Sequence, residues 1–470
     1  MSLKIYNSLT RQKEIFKPIT DGEVKMYVCG PTVYGPTHVG HARSYVNFDV
    51  VFRFLKFLGY KVKYVQNITD VGHLVGDSDD GEDKILKQAK KENIDPYEVA
   101  YKYECLYFKT MEQLNVLKPS ISVRATACIP EMIEMVQKIL DKGYGYVTED
   151  GNVYFDVRKF AGYGSLSNRT LDNTKSGERI EIAGDKRNAE DFALWKKADK
   201  GHLMKWNSPW GLGFPGWHLE CSTMSKKFLG DTLDIHGGGL DNMFPHHESE
   251  IAQSEVANGK RFVNYFMHNN LITVNGTKMG KSLNNFITLE DLFSKVNPMW
   301  VRYFILTFHY RSPVDFSLNA INQAGEQFEK ISEMVNGVRQ LSSQEAKVAD
   351  VELKQIYDNF VNAMCEDFNT PVAISEILKL QKIAKNAINN NNFGQISQIN
   401  TIICELLEGV LGLKFDLIEH NAQQLSNESA LLNIISDIRN ELRMQKNYAL
   451  SDKIRDAVSA LGIKQNDGKL

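Results

Sequence analysis

The stretch Val24-Lys25-Met26-Tyr27-Val28-Cys29-Gly30-Pro31-Thr32-Val33-Tyr34, followed by His38-Val39-Gly40-His41, decides the fold. Residues 24–29 are a short apolar run that stops at Gly30-Pro31, as a buried strand does. Residues 41–58 place Val46, Val50, Phe54 and Phe57 at the spacing of one helix face. Lys61–Ile68 alternates as a second strand, and helical patterns follow around 82–115 and 130–142. Strand, turn, helix and strand at this spacing make a βαβ unit, and such units build parallel sheets.

Residues 143–215 are richer in Gly, Asn, Asp and short aromatic stretches, and read as an insertion of irregular structure. The α/β pattern then resumes with a strand at 231–235, a helix at 245–257 and a strand at 262–268. The expected fold is therefore α/β: a doubly wound, Rossmann-like parallel-sheet domain over 1–317, split by the insertion. An all-α C-terminal region follows, with a helical bundle over 318–418 and a small domain over 425–470. Polar residues 419–428 read as the linker, helices are expected at 430–446 and 451–461, and the asparagine run 389–392 reads as a turn between helices.

A chain of 470 residues suits about three domains, and 43% hydrophobic with 24% charged residues is a globular composition. The net charge of −3 advertises no nucleic-acid partner, so any RNA would have to meet local basic patches. Six scattered cysteines show no disulfide spacing. The first ten residues lack a signal-peptide core, and no apolar run approaches membrane-spanning length. The expectation is a cytoplasmic protein with no membrane partner.

Two elements carry nucleotide chemistry. His38 and His41 flank Gly40 where a strand end opens a helix, whose first N–H groups can receive phosphate. Lys278 and Lys281 sit in Lys278-Met279-Gly280-Lys281-Ser282, a glycine-containing loop able to close over a triphosphate. Alone, the first could be a turn with surface histidines and the second a basic loop. Together they resemble the His-Ile-Gly-His and Lys-Met-Ser-Lys-Ser signatures of class I aminoacyl-tRNA synthetases, with Val39 for Ile and Gly280 for Ser. Gly239-Leu240-Asp241 resembles that class's ribose-contacting turn. The resemblance implies ATP contacts from Gly40, Gly239, Asp241 and Lys281, and catalysis by His38, His41, Lys278 and Lys281.

Cys29, Cys221, Glu250 and a histidine form a donor set suited to tetrahedral zinc. Both His246, at i, i+4 from Glu250, and His247, at i, i+3, can share the glutamate's helix face. The turn at Pro245 favours His246. The segments Cys-Gly-Pro-Thr-Val-Tyr (29–34), Pro-Gly-Trp-His-Leu-Glu-Cys-Ser (215–222) and Asp-Ile-His-Gly-Gly-Gly (234–239) closely resemble the cysteinyl-tRNA synthetase family, from about residue 20 to the end. The family's motif also selects His246.

That resemblance implies one zinc per chain that binds the substrate thiolate directly. It places Thr69, Trp217 and His236 around the bound cysteine, with ATP and Mg²⁺, and tRNA(Cys) as the acceptor. Arg443, Asp452, Arg455 and Asp467 are implied as anticodon readers, and the expected state is a monomer. Two departures stand out: residues 76–83 lengthen a loop beside the pocket, and the chain stops at Asp467-Gly468-Lys469-Leu470 without a Trp-Arg tail. One rival is a ligase joining cysteine to an amino sugar, which resembles a chain without residues 430–467. Another is a zinc-stabilised, inert RNA-binding relative, which would not need both histidines and both lysines.

Overall fold

The computed structural model of the chain describes residues 2–75, 81–169, 185–274, 276–278, 286–342, 344–415, 435, 438–439 and 441–460. They fall into two units, Met1–Phe415 and Asp416–Leu470.

In the first unit a ribbon, β1 (Lys4–Asn7) and β2 (Gln12–Ile15), precedes the strand β3 (Glu23–Val28). Helix α1 (Val39–Phe57) returns the chain to β4 (Lys61–Ile68). α2 (Lys84–Glu92) and α3 (Pro96–Gln113) lead to β5 (Ile121–Arg124) and α4 (Ile129–Asp141). The helical pattern expected around 82–115 divides into two helices, because Asn93 takes a left-handed φ of 55° and Asp95 caps a new start at Pro96.

Five short strands follow: β6 (Gly145–Val147), β7 (Val153–Phe155), β8 (Phe192–Lys197), β9 (Trp206–Ser208) and β10 (Gly211–Pro215). They pair antiparallel in the order β6-β7-β8-β10-β9. The expectation of irregular structure in this insertion is thus corrected. Strands of three to six residues, separated by long polar connections, carry too little alternation to register in the sequence.

The chain re-enters the central sheet through α5 (Trp217–Leu229), β11 (Leu233–Gly239), α6 (Glu248–Asn258) and β12 (Val263–Asn269). The sheet order is β12-β11-β3-β4-β5, all parallel. This is the doubly wound sheet expected. Its order reverses between β3 and β11, where a crevice opens beyond the carboxyl ends. Glycine permits two close approaches there. A Cβ on Gly30 would lie 1.6 Å from the Asn67 carbonyl oxygen, and one on Gly237 would lie 2.3 Å from the Phe48 ring of α1.

β13 (Ile272–Val274) and β14 (Thr277–Lys278) form a small sheet with β15 (Val314–Phe316), which follows α7 (Leu289–Phe293) and α8 (Pro298–Leu306). From there the first unit is helical: α9 (Leu318–Leu341), α10 (Val351–Cys365), α11 (Thr370–Asn389) and α12 (Phe393–Ile402), which continues as a wider turn to Val410. Asn391, at φ 51°, makes the turn between α11 and α12. The second unit contains α13 (Tyr448–Ala460). The linker expected at 419–428 lies outside the described residues, as do residues 430–434, 436–437 and 440 of the helix expected at 430–446; residues 441–444 are helical.

Candidate active site

A cleft of about 460 Å³ opens at the switch point. Its wall brings together Cys29, His38, Gly40, His41, Thr69, Trp217, Gly239, Asp241 and His246. Each sits at a strand end or helix start, so the sheet alone collects residues more than 200 positions apart.

His38 caps α1. Its Nδ1 accepts the Gly40 N–H at 3.1 Å, and His41 Nδ1 accepts the His38 N–H at 3.2 Å. The two rings stack at 3.8 Å. Burial holds the His41 pKa down near 4. With Nδ1 occupied as an acceptor, the neutral ring carries its proton on Nε2, where it is a donor for an anion in the cleft.

Beneath the cleft lies a buried cluster. The donor atoms of Cys29, Cys221, His246 and Glu250 lie within 4.8 Å of one another, as do those of Cys29, His236, His247 and Glu250. The thiols of Cys29 and Cys221 are 3.9 Å apart. Glu250 turns Oε1 to His246 Nε2 at 3.1 Å and Oε2 to His236 Nε2 at 2.8 Å. Cys29 Sγ is also 3.2 Å from His247 Nε2. On their far sides, His246 meets His218 at 2.9 Å, and His247 meets His268 at 2.8 Å. Burial raises the pKa of Cys29, Cys221 and Glu250. Two sulfurs, an imidazole and a carboxylate in a shell this small fit a soft divalent metal, whose charge would favour the ionised thiolates and carboxylate that burial alone disfavours. Cys29, common to both sets, reaches the cleft wall; of the three histidines His246 also reaches it, while His236 and His247 are fully buried.

Thr69 ends β4. Its hydroxyl donates to Glu220 Oε2 at 2.7 Å and accepts from Asn67 Nδ2 at 2.9 Å. Burial pushes the Glu220 carboxyl well above its usual range. Trp217 stacks on His246 with centroids 4.3 Å apart, and on His73 at 4.1 Å. His73, Lys84 and Thr32 at this wall, and Glu220 beneath it, were not singled out from the sequence. Glu220 lies inside the 215–222 motif, but nothing in the spacing pairs His73 with Trp217.

His236 stands behind the cluster, with Nδ1 3.2 Å from the Tyr27 carbonyl oxygen. Lys278 ends β14, paired with Thr273. Lys281 and Asp467 lie outside the described residues. In the second unit, Arg455 pairs with Asp452 at 3.1 Å and with Asp456 at 3.0 Å, and Arg443 lies before α13. The described residues include no helix long and apolar enough to cross a membrane.

Residues 15–326 match the family described as tRNA synthetases class I (C) catalytic domain, and residues 359–416 match a DALR domain. A cysteine–tRNA ligase of Chlorobium chlorochromatii is 49% identical, over 100% of this chain and 98% of its own length. One from Bacteroides fragilis is 46% identical, over 99% of this chain and 97% of its own. Among solved structures, Mycobacterium tuberculosis methionyl-tRNA synthetase superposes with a TM-score of 0.60 at 14% identity, covering 83% of this chain and 92% of that one, a likeness of fold. With its doubly wound sheet, nucleotide-type helix start and full-length similarity, the chain belongs to the cysteine–tRNA ligase family of class I tRNA synthetases.

Proposed function

We propose that the cleft selects cysteine through a zinc ion held by Cys29, Cys221, His246 and Glu250. The observation that carries this is the convergence of those four donors within 4.8 Å beneath a cleft whose rim bears His38 and His41. The family's reaction is ATP-dependent activation of cysteine and its transfer to tRNA. The cysteine carboxylate attacks the α-phosphate of ATP, pyrophosphate leaves, and the terminal ribose of tRNA(Cys) then takes the cysteinyl group. Zinc, when bound, supplies a soft Lewis acid that prefers a thiolate to a hydroxyl. A site built for one such group rejects an analogue lacking it by on the order of 10⁴.

The remaining roles belong to the chain. Thr69 and Trp217 wall the amino-acid pocket, and His236 holds the outer oxygen of Glu250. Gly40 lets a phosphate approach the start of α1, while His38 and His41 donate to its oxygens. Gly239 and Asp241 take the ribose, and Lys278 and Lys281 attract the departing pyrophosphate with its Mg²⁺. Arg443, Asp452, Arg455 and Asp467 contact the anticodon, and the enzyme works as a cytoplasmic monomer. The curated relatives match the whole chain, which disfavours the amino-sugar ligase.

The test is cysteine-dependent ATP–pyrophosphate exchange, with and without tRNA. Exchange with cysteine but not serine, and cysteinylation of tRNA(Cys), are expected. Equal exchange with serine would sink the selection mechanism.

A further inference from the structure

Thr69, His73 and Lys84, at the base of the connection between β4 and α2, line one side of the cleft. The base of this loop is paired through the backbone: the Lys84 N–H donates to the His73 carbonyl at 3.0 Å, and the Val75 N–H to that of Glu82 at 3.0 Å. Gly72, at φ +76°, lets the loop press on β10, since a Cβ there would lie 2.5 Å from the Pro215 carbonyl oxygen. Asp83 holds that glycine by accepting its N–H at 3.0 Å. Pro215 stands two residues before Trp217, so the loop is docked on the segment that carries the indole.

His73 makes the closest contact. Its ring lies flat on Trp217, with centroids 4.1 Å apart and planes 9° apart. His246 stacks on the same indole at 4.3 Å and 24°. Two rings stacked this close to one ring cannot share a face, so the indole is sandwiched. Lysine can only donate, so the 2.7 Å contact from Lys84 Nζ makes His73 Nε2 an acceptor. The imidazole proton then sits on Nδ1 and is donated to Thr32 Oγ1 at 2.6 Å. Thr32 is itself bridged to Thr69 through the backbone. With both nitrogens tied, the ring has one orientation.

We infer that His73 is a positioning residue for cysteine selection, clamping the Trp217 indole in the pose that walls the pocket before cysteine arrives. This rests on the reading of Trp217 as that wall. A preset wall spares the ordering cost of binding.

The test uses zinc-loaded, full-length enzyme in cysteine-dependent pyrophosphate exchange. His73→Ala is expected to raise KM for cysteine about three- to tenfold, the worth of one ring stack, with KM for ATP and zinc content unchanged. His73→Phe keeps a flat ring, loses both hydrogen bonds and restores most of the affinity. Should the alanine variant fold poorly, His73→Asn makes the same comparison against His73→Phe. An unchanged KM for cysteine without the ring, or an equal rise for cysteine and ATP, overturns the inference. Trp217→Ala separates the two readings. If it leaves KM for cysteine unchanged, the pocket wall itself is misassigned. If it raises that KM while His73→Ala does not, only the clamp fails.

Discussion

Glu250 Oε1 stands 3.1 Å from Nε2 of His246, one helical turn away. The facing pair defines which side of the carboxylate looks into the donor cluster, because His236 holds the other oxygen at 2.8 Å. Orienting partners of this kind are worth ten- to a hundredfold in metal affinity. His236→Ala should therefore weaken zinc binding by about that factor, and Cys221→Ala should abolish it together with cysteine activation. Zinc content by elemental analysis and competition with a chelator checks both. Full zinc and wild-type cysteine affinity in Cys221→Ala would refute the donor set.

His41 makes the acid limb of stability steeper. Burial places its pKa near 4, below the ~6.5 of a free imidazole. Between those values the unfolded chain binds a proton that the folded chain refuses. The group's contribution is therefore intact above about pH 6.5 and is lost as pH falls toward 4. His41→Asn should show a smaller loss of Tm than wild type between neutral and mildly acidic buffer. An identical loss in both would contradict the shift.

Asp49 balances two guanidinium groups in the interior. Arg302 reaches it at 2.5 Å and Arg53 at 2.8 Å, and Arg302 also donates to the carbonyls of Leu114 and Leu411 at 2.8 Å. This joins α1, α8 and the end of the helical region. Removing the carboxylate leaves a buried charge uncompensated, at a cost of about 3–5 kcal/mol. Asp49→Ala should lower the denaturant midpoint accordingly while zinc content stays near wild type. A change under about 1 kcal/mol would show that the network contributes little.

The sheet was legible because its strands and helices keep their own periods: Lys61–Ile68 is identical in sequence reading and structure. Most of the cleft was legible through motifs at strand ends. The histidine choice was not settled by spacing, since His246 and His247 both come within reach of the cluster. The insertion's sheet was missed because its strands are short. The His73–Trp217 stack was missed because it joins residues 144 positions apart, and only the docking of the loop on Pro215 brings them together.

The proposed anticodon contacts assign the second unit to charging and not to activation. The cleft lies within Met1–Phe415, while Arg443 and Arg455 belong to Asp416–Leu470. Deleting residues 425–470 should spare cysteine-dependent pyrophosphate exchange and weaken aminoacylation. Salt should weaken tRNA binding more in the full chain than in the truncated one, because fewer phosphate contacts remain. Unchanged aminoacylation after the deletion would remove the anticodon-reading role.

The most direct measurement of the selection mechanism is the zinc-edge X-ray absorption spectrum of the loaded protein, before and after cysteine. In the proposed donor set Cys29 and Cys221 would supply two sulfur ligands, for which about 2.3 Å is usual, and His246 and Glu250 the nitrogen and oxygen, usually nearer 2.0 Å. Binding of the substrate thiolate should add a third sulfur, while serine should leave the spectrum unchanged. A spectrum that does not change when cysteine is bound would contradict thiolate selection by the metal.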